Sequence, residues 1–335
     1  MTRRGSIRRM RIHLQNPEND PLFDFTRPMW QAAVARAPDA GGEHDVSIGI
    51  AQADFLAAMR DAEALVCDAG VIAALFPCPA PRLKLIFLTN AGLDRLAPFD
   101  WLPPGVALMN NRGVHAAKAG EFAIMSILML ANRVPAMVTS QRQGLWHKRL
   151  GSVLAGRRLT VVGLGALGAA TAGQAARFGM HVTGVRAHPA PHPACARVIG
   201  TDALDTVLPE TEFVVLACPL TAATHGLMTR RRLESLPSGA GLINIGRGAL
   251  LDQDALCDLL ENEHLSGAVL DVFTPEPLPP GHRVWSTRNL IVSPHVSADD
   301  PATYNPHSLD IFLDNVRAWR AGRPLPNRFD IGRGY

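Results

Sequence analysis

Leu159-Thr-Val-Val-Gly-Leu-Gly-Ala-Leu-Gly168 is an apolar strand that runs straight into a Gly163-x-Gly165-x-x-Gly168 turn. The segment Ala169 to Phe178 follows and reads as a helix, and His181 to Val185 reads as the next strand. Each glycine has a physical task in such a unit. Gly163 permits the tight turn, Gly165 lets backbone approach a pyrophosphate, and Gly168 lets the helix pack closely on the strand. The N–H groups at the helix start have no intrahelical acceptor, so they can hold an anion with the help of the helix dipole. A lone glycine triad is weak evidence; the strand, helix and strand around this one point to dinucleotide binding.

Further strands follow downstream at Phe213 to Ala217, Gly241 to Ile245, Ala268 to Leu270 and Leu290 to Val292. With the two already named they make six, separated by helical stretches, as in a doubly wound nucleotide-binding sheet. Upstream, strands are expected at Arg11 to Leu14, Ala64 to Cys67, Leu83 to Leu88 and Val106 to Met109, with helices at Met29 to Arg36, Ala53 to Arg60 and Val71 to Leu75. The fold class is therefore α/β: two doubly wound parallel-sheet domains, one of them a Rossmann coenzyme domain. Their expected boundaries are 1–109, 110–293 and a return of 294–335 to the first domain, because the tail, with a helix at Ser308 to Trp319, is too short to stand alone. A long apolar helix is expected from His115 to Val138, buried between the domains.

In an open parallel sheet, ligands bind outside the carboxyl ends of the strands. Arg186 follows the second strand, Cys218-Pro219-Leu220-Thr221 the third, Asn244-Ile-Gly-Arg247-Gly248 the fourth, Asp271-Val-Phe-Thr-Pro-Glu276-Pro the fifth and Ser293-Pro-His295 the sixth. An arginine, a carboxylate and a histidine thus converge on one edge beside the expected dinucleotide. These residue types suit carbonyl reduction. Arginine can grip a carboxylate bidentately and polarise the neighbouring carbonyl. Histidine can give a proton near neutral pH, and Glu276 beside it would orient the ring and favour the imidazolium. In the first domain, Thr89-Asn-Ala91-Gly92-Leu93 follows the most apolar strand; it reads either as an anion-binding nest at a helix start or as an ordinary turn. A serine hydrolase would need a G-x-S-x-G elbow, which is missing, and no HExxH or paired-cysteine pattern supports a metal.

Composition narrows the alternatives. Hydrophobic residues are 47% and charged residues 19% of 335, with a net charge of +3, which describes an ordinary globular chain with no basic stripe for nucleic acid. Much of that excess lies in Met1-Thr-Arg-Arg-Gly-Ser-Ile-Arg-Arg, which lacks the apolar region of a signal peptide and reads as a leader before Met10. No run reaches membrane-span length. Five scattered cysteines without a CxxC pair fit a reduced, cytoplasmic setting, with Cys218 read as a buried structural thiol.

Gly163-Leu-Gly-Ala-Leu-Gly168, Asn244-Ile-Gly-Arg-Gly248, Asp271-Val-Phe-Thr-Pro-Glu-Pro-Leu278 and Ser293-Pro-His-Val-Ser297 together resemble the motifs of the D-isomer-specific 2-hydroxyacid dehydrogenases. The terminal Asp330-Ile-Gly-Arg-Gly-Tyr335 also resembles some members. By this resemblance Arg247 would bind a 2-oxo acid, Glu276 would support the histidine and His295 would donate the proton. The Ala91-Gly92 backbone would hold the substrate carboxylate. Gly163, Gly165, Ala166, Leu167, Gly168, Arg186, Pro219, Ile245 and Asp271 would line the coenzyme, Asp271 at the nicotinamide amide. The resemblance also implies a flavodoxin-like split substrate domain, a cleft between the domains, and a homodimer formed through the coenzyme domains. Many members carry an acid after the second strand for the adenosine ribose; Arg186 stands there instead. An arginine at that point pairs with a 2′-phosphate, so NADP(H) is the expected coenzyme, with NAD(H) as the alternative if Arg186 is merely solvated. The glyoxylate/hydroxypyruvate reductases are the members expected to be most alike. A nucleotide-sensing corepressor-like module on the same scaffold is the competing class, and no peptide-docking tail or charge run supports it. The substrate pocket is expected to be shaped by the first domain, the Gly144-Leu-Trp146 loop and the tail near Tyr304 and His307.

Overall fold

The computed structural model describes residues 9–18, 23–41 and 44–334. The leader before Arg9 and the final Tyr335 lie outside the described residues. The chain divides into two compact units, Met1–Val114 with Asp300–Tyr335, and His115–Asp299.

The first unit is built on five strands, β1 (Arg11–Gln15), β2 (Asp45–Gly49), β3 (Ala64–Cys67), β4 (Leu85–Leu88) and β5 (Ala107–Asn110). Their order is β2-β1-β3-β4-β5 and every pairing is parallel, the flavodoxin-like arrangement. β3 and β4 are buried at every residue because helices cover both faces of the sheet. On one face Ile12, Leu14, Leu85 and Phe87 pack with Trp30 and with Leu309, Phe312, Leu313 and Val316 of the helix Tyr304–Arg320. The chain end joins this unit because that apolar stripe has no other sheet face to cover. On the other face Phe55, Met59, Ile72, Leu65, Ile86 and Leu88 form a second core.

The second unit carries seven strands: β6 (Arg158–Val162), β7 (His181–Val185), β8 (Arg197–Ile199), β9 (Phe213–Leu216), β10 (Gly241–Asn244), β11 (Gly267–Leu270) and β12 (Leu290–Val292). The parallel order β12-β11-β10-β9-β6-β7-β8 reverses direction between β6 and β9. Ligand crevices of open α/β sheets form at such a reversal. Here a Cβ on Gly163 would lie 2.6 Å from the backbone of Cys218, so the turns after β6 and β9 meet at that point. The core again has two faces, one around Leu216, Leu242 and Leu256, the other around Val161, Val215 and Ile243.

Three sequence expectations need correction. β2 and β8 were not expected, and the second sheet has seven strands rather than six; both lie at sheet edges, β2 with polar alternation (Asp-Val-Ser-Ile-Gly) and β8 only three residues long (Arg-Val-Ile), so neither has the apolar run that betrays a central strand. The long helix at His115–Val138 is two helices, Ala116–Ala131 and Val134–Arg142, bent by 65°. Pro135 cannot donate to the preceding turn, and Arg133 between the helices is left-handed at φ 58°. Nor is the first of them buried all round. Gly120, Ala123 and Ile127 face inward, Gly120 against Ala170, whereas Met125 is 44% exposed. The two compact units meet at 114/115 and 299/300. The turn after β5 bonds back to Asn90, and the loop after β12 bonds back to Asp271, so each stays with its own unit.

Candidate active site

The glycine turn after β6 opens the helix Ala166–Arg177. Gly163 is left-handed at φ 96°, which a side chain would strain. A Cβ on Gly168 would overlap the Gly163 carbonyl oxygen, so this glycine is demanded by the protein's own packing. A Cβ on Gly165 would meet nothing within 4 Å. Protein packing therefore gives no reason for a glycine there, whereas a ligand lying against the backbone would. No side chain caps the helix start, so the N–H groups of Ala166, Leu167 and Gly168 remain open to an anion. Cys218, beside the turn, is buried, and burial pushes its thiol up to about 11, as suits a structural thiol. Pro219 follows it with its carbonyl held by Thr224 Oγ1 at 2.7 Å. Arg186 follows β7, its N–H donated to Ile199 of β8 at 3.1 Å, and its side chain is partly exposed.

At the end of β10, Asn244 shapes the next turn: its Oδ1 accepts from the Gly246 N–H at 3.0 Å and its Nδ2 donates to the Arg247 carbonyl at 2.9 Å. Ile245 is buried, and Arg247 is half-buried in an extended backbone. A Cβ at Gly248 would overlap the Phe273 backbone, so the arginine turn lies directly against the loop that follows β11.

That loop carries Glu276. One of its oxygens accepts from the Phe273 N–H at 2.8 Å, and the other lies 2.9 Å from His295 Nδ1. The Glu276 side chain is 16% exposed and that of His295 47%, so the pair is anchored at its base and open at its tip. His295 is left-handed at φ 56°, an uncommon state for a residue with a side chain. Its loop is held there by Asp271, which is 1% exposed. The Asp271 carboxylate accepts from the N–H groups of Val296 (2.9 Å) and Ser297 (3.1 Å) and from the Ser293 hydroxyl, while the His295 N–H donates to the Asp271 carbonyl at 2.8 Å. Asp271 was expected at the nicotinamide amide; within the protein its carboxylate is engaged by the histidine loop. Sequence reading missed this task, because nothing in the spacing of Asp271 and Ser297 says that strand ends bring them together.

It also missed His115. This histidine, largely buried, lies 3.0 Å through Nδ1 from the Ala298 carbonyl, at the start of the helix Ala116–Ala131. Burial lowers its pKa, the Ala298 carbonyl and Asp299 oppose this, and the charges of His295 and Arg247 lower it further. Ala91 and Gly92 belong to the first unit, after β4. The helix expected to follow them is only a three-residue 3₁₀ turn, Asp94–Leu96.

Residues 124–297 match the family model for the D-isomer specific 2-hydroxyacid dehydrogenase, NAD binding domain. The chain is 31% identical over 262 residues to glyoxylate/hydroxypyruvate reductase B of Yersinia pestis, covering 76% of this chain and 80% of that protein. It is also 30% identical over 290 residues to D-3-phosphoglycerate dehydrogenase of Mycobacterium tuberculosis, covering 84% of this chain but only 53% of the longer relative. The chain thus spans about half the length of that relative. Among solved structures, a D-isomer specific 2-hydroxyacid dehydrogenase from Xanthobacter autotrophicus in complex with NADPH and MES superposes with a TM-score of 0.79 at 29% identity, covering 98% of this chain and 100% of that one. The chain belongs to the D-isomer specific 2-hydroxyacid dehydrogenase family. In this family member the matched region runs from within the helix Ala116–Ala131 to Ser297 and so contains the glycine turn, Arg247, Glu276 and His295 alike.

Proposed function

We propose that the chain is an NADPH-preferring reductase that converts a small 2-oxo acid of the glyoxylate or hydroxypyruvate kind to its D-2-hydroxy acid. The observation that carries the reading is the Glu276–His295 pair, 2.9 Å apart and open to solvent on the histidine side. A carboxylate only accepts, so His295 keeps its Nδ1 proton toward Glu276, and Nε2 is the nitrogen that gives a proton to the substrate. Arg247 would pair with the 2-oxo acid and draw charge toward the oxygen that becomes the hydroxyl. The Ala91-Gly92 backbone would hold the carboxylate. Gly163, Gly165, Ala166, Leu167 and Gly168 would hold the pyrophosphate, Arg186 the 2′-phosphate, and Pro219, Ile245 and Asp271 the remainder of the coenzyme. When bound, NADPH supplies the hydride; His295 supplies the proton, so the ketone gains two electrons and two hydrogens in all.

Three facts support the wider setting. The relative from Xanthobacter binds NADPH. Leu145, Trp146, Leu150 and Val153 are exposed on one short loop of the second unit, Trp146 completely, as a surface awaiting a second copy would be; we assign the homodimer to this unit. Five free cysteines suit the cytoplasm, and among the described residues no single helix is long and apolar enough to cross a membrane. The test is NADPH absorbance decay with glyoxylate, hydroxypyruvate, pyruvate and phenylpyruvate. Turnover of at least one is expected; an inert chain that still binds NADPH would instead mark a sensor.

A further inference from the structure

The loop Thr89–Gly92 offers only backbone, yet side chains from distant parts of the first unit converge behind it. The Thr89 carbonyl accepts from the Tyr304 hydroxyl at 2.5 Å and from Asn111 Nδ2 at 2.8 Å. The Asn90 carbonyl accepts from the Asn111 N–H at 3.1 Å, and the Ala91 carbonyl from Asn110 Nδ2 at 2.7 Å. Three consecutive carbonyls are therefore drawn toward one set of donors. In a trans peptide the N–H points opposite to the carbonyl of the same plane. The N–H groups of Asn90, Ala91 and Gly92 accordingly point away from those donors, as a row of three.

The donors are themselves fixed. Asn111 is fully buried and its second Nδ2 proton goes to the Ser308 hydroxyl at 2.7 Å, which in turn donates to the Tyr304 carbonyl at 2.7 Å. Among the described residues the buried Asn111 Oδ1 has no hydrogen-bond partner. The Tyr304 ring packs edge-on against Phe23, with centroids 5.1 Å apart. The Asn90 side chain takes part as well, accepting from the Ala69 N–H at 2.6 Å.

From this juxtaposition we infer that Tyr304 and Asn110 are positioning residues for substrate: they hold the loop carbonyls so that its N–H row receives the carboxylate of the 2-oxo acid. The inference rests on the reductase reading above. It gives the helix Tyr304–Arg320 a part in substrate affinity although its tyrosine hydroxyl meets the loop only at a backbone carbonyl. The interaction is uniform, equally present before and during hydride transfer, so it acts on KM and leaves kcat alone.

The experiment uses the full chain with NADPH and two variants, Tyr304→Phe and Asn110→Ala. Oxamate, a carboxylate that cannot be reduced, is titrated against the NADPH-bound protein by nucleotide fluorescence, and steady-state constants are measured with the best 2-oxo acid. Each variant should bind oxamate about five- to tenfold more weakly and raise the 2-oxo acid KM by the same factor, with kcat and the NADPH KM unchanged. Unchanged oxamate affinity in a folded Tyr304→Phe protein overturns the inference. So does an equal loss in kcat and NADPH KM, which would mark a general structural role. A wild-type chain that binds oxamate but reduces no 2-oxo acid defeats the reductase reading alone, and the oxamate titration still decides the positioning.

Discussion

The loops that follow apolar parallel strands in the two units are built in opposite ways. The loops after β11 and β12 present side chains, Glu276 and His295, and are tied together by Asp271 from below. The loop after β4 presents N–H groups and is held by Tyr304, Asn110 and Asn111 from behind. In the first case, under the proposed function, His295 would meet the substrate with the side chain that carries the chemistry and Glu276 would orient it, so both identities would be constrained. In the second the contact is made by atoms every residue has, and the constraint moves to residues far away in the chain.

The contrast breaks first at His295. His295→Ala should lower kcat about 100- to 10,000-fold with NADPH binding retained, read by steady-state rates and nucleotide fluorescence; undiminished turnover would remove the histidine from the chemistry. Next come the two glycines of the same turn. Gly165→Ala should fold normally and weaken NADPH by about tenfold or more, since its new methyl meets only the space a pyrophosphate would use. Gly168→Ala should instead fail to fold well, since its methyl overlaps the Gly163 carbonyl. Thermal melts with and without NADPH separate them, and equal behaviour of the two would deny a ligand role to Gly165.

Arg186→Asp sharpens the coenzyme side. The wild type should favour NADPH over NADH in kcat/KM by about tenfold or more, and the variant should reverse the order, because an acid repels the 2′-phosphate and accepts from the ribose hydroxyls. A clear NADH preference in the wild type would show that the arginine is merely solvated. Glu276→Gln keeps the shape but removes the charge behind His295, and kcat should fall by about tenfold in steady-state rates.

The smallest effect lies in the first unit and depends on pH. His13 is buried, 2.8 Å from both Ser47 Oγ and Gln15 Oε1, and burial lowers its pKa against those bonds and the charge of Asp54. A histidine lowered on folding binds its proton more readily when unfolded. Its contribution is therefore intact above about pH 6.5 and lost as pH falls through the folded value. Urea midpoints at pH 7.5 and 5.0 should fall further for the wild type than for His13→Asn; equal losses would clear His13 of the effect.

Much of this molecule was legible in residue order. Among the described residues ten of twelve strands announced themselves as short apolar runs, most of them because central parallel strands are buried on both faces. β2 and β8 did not: β2 alternates polar and apolar residues and β8 is only three residues long, whereas the other two edge strands, β5 and β12, carry apolar runs. Arg247, Glu276 and His295 were readable because they follow strand ends, and strand ends share one edge of the sheet. What residue order could not supply was the set of partners behind them: Asp271 gripping the loop of His295, His115 settling against Ala298, and Tyr304 reaching a carbonyl more than two hundred residues earlier. Local spacing determines which strand, turn or helix a segment becomes, since those states depend on near neighbours. Hydrogen bonds between distant segments depend on where the completed sheets and helices lie, and only the tertiary structure decides that.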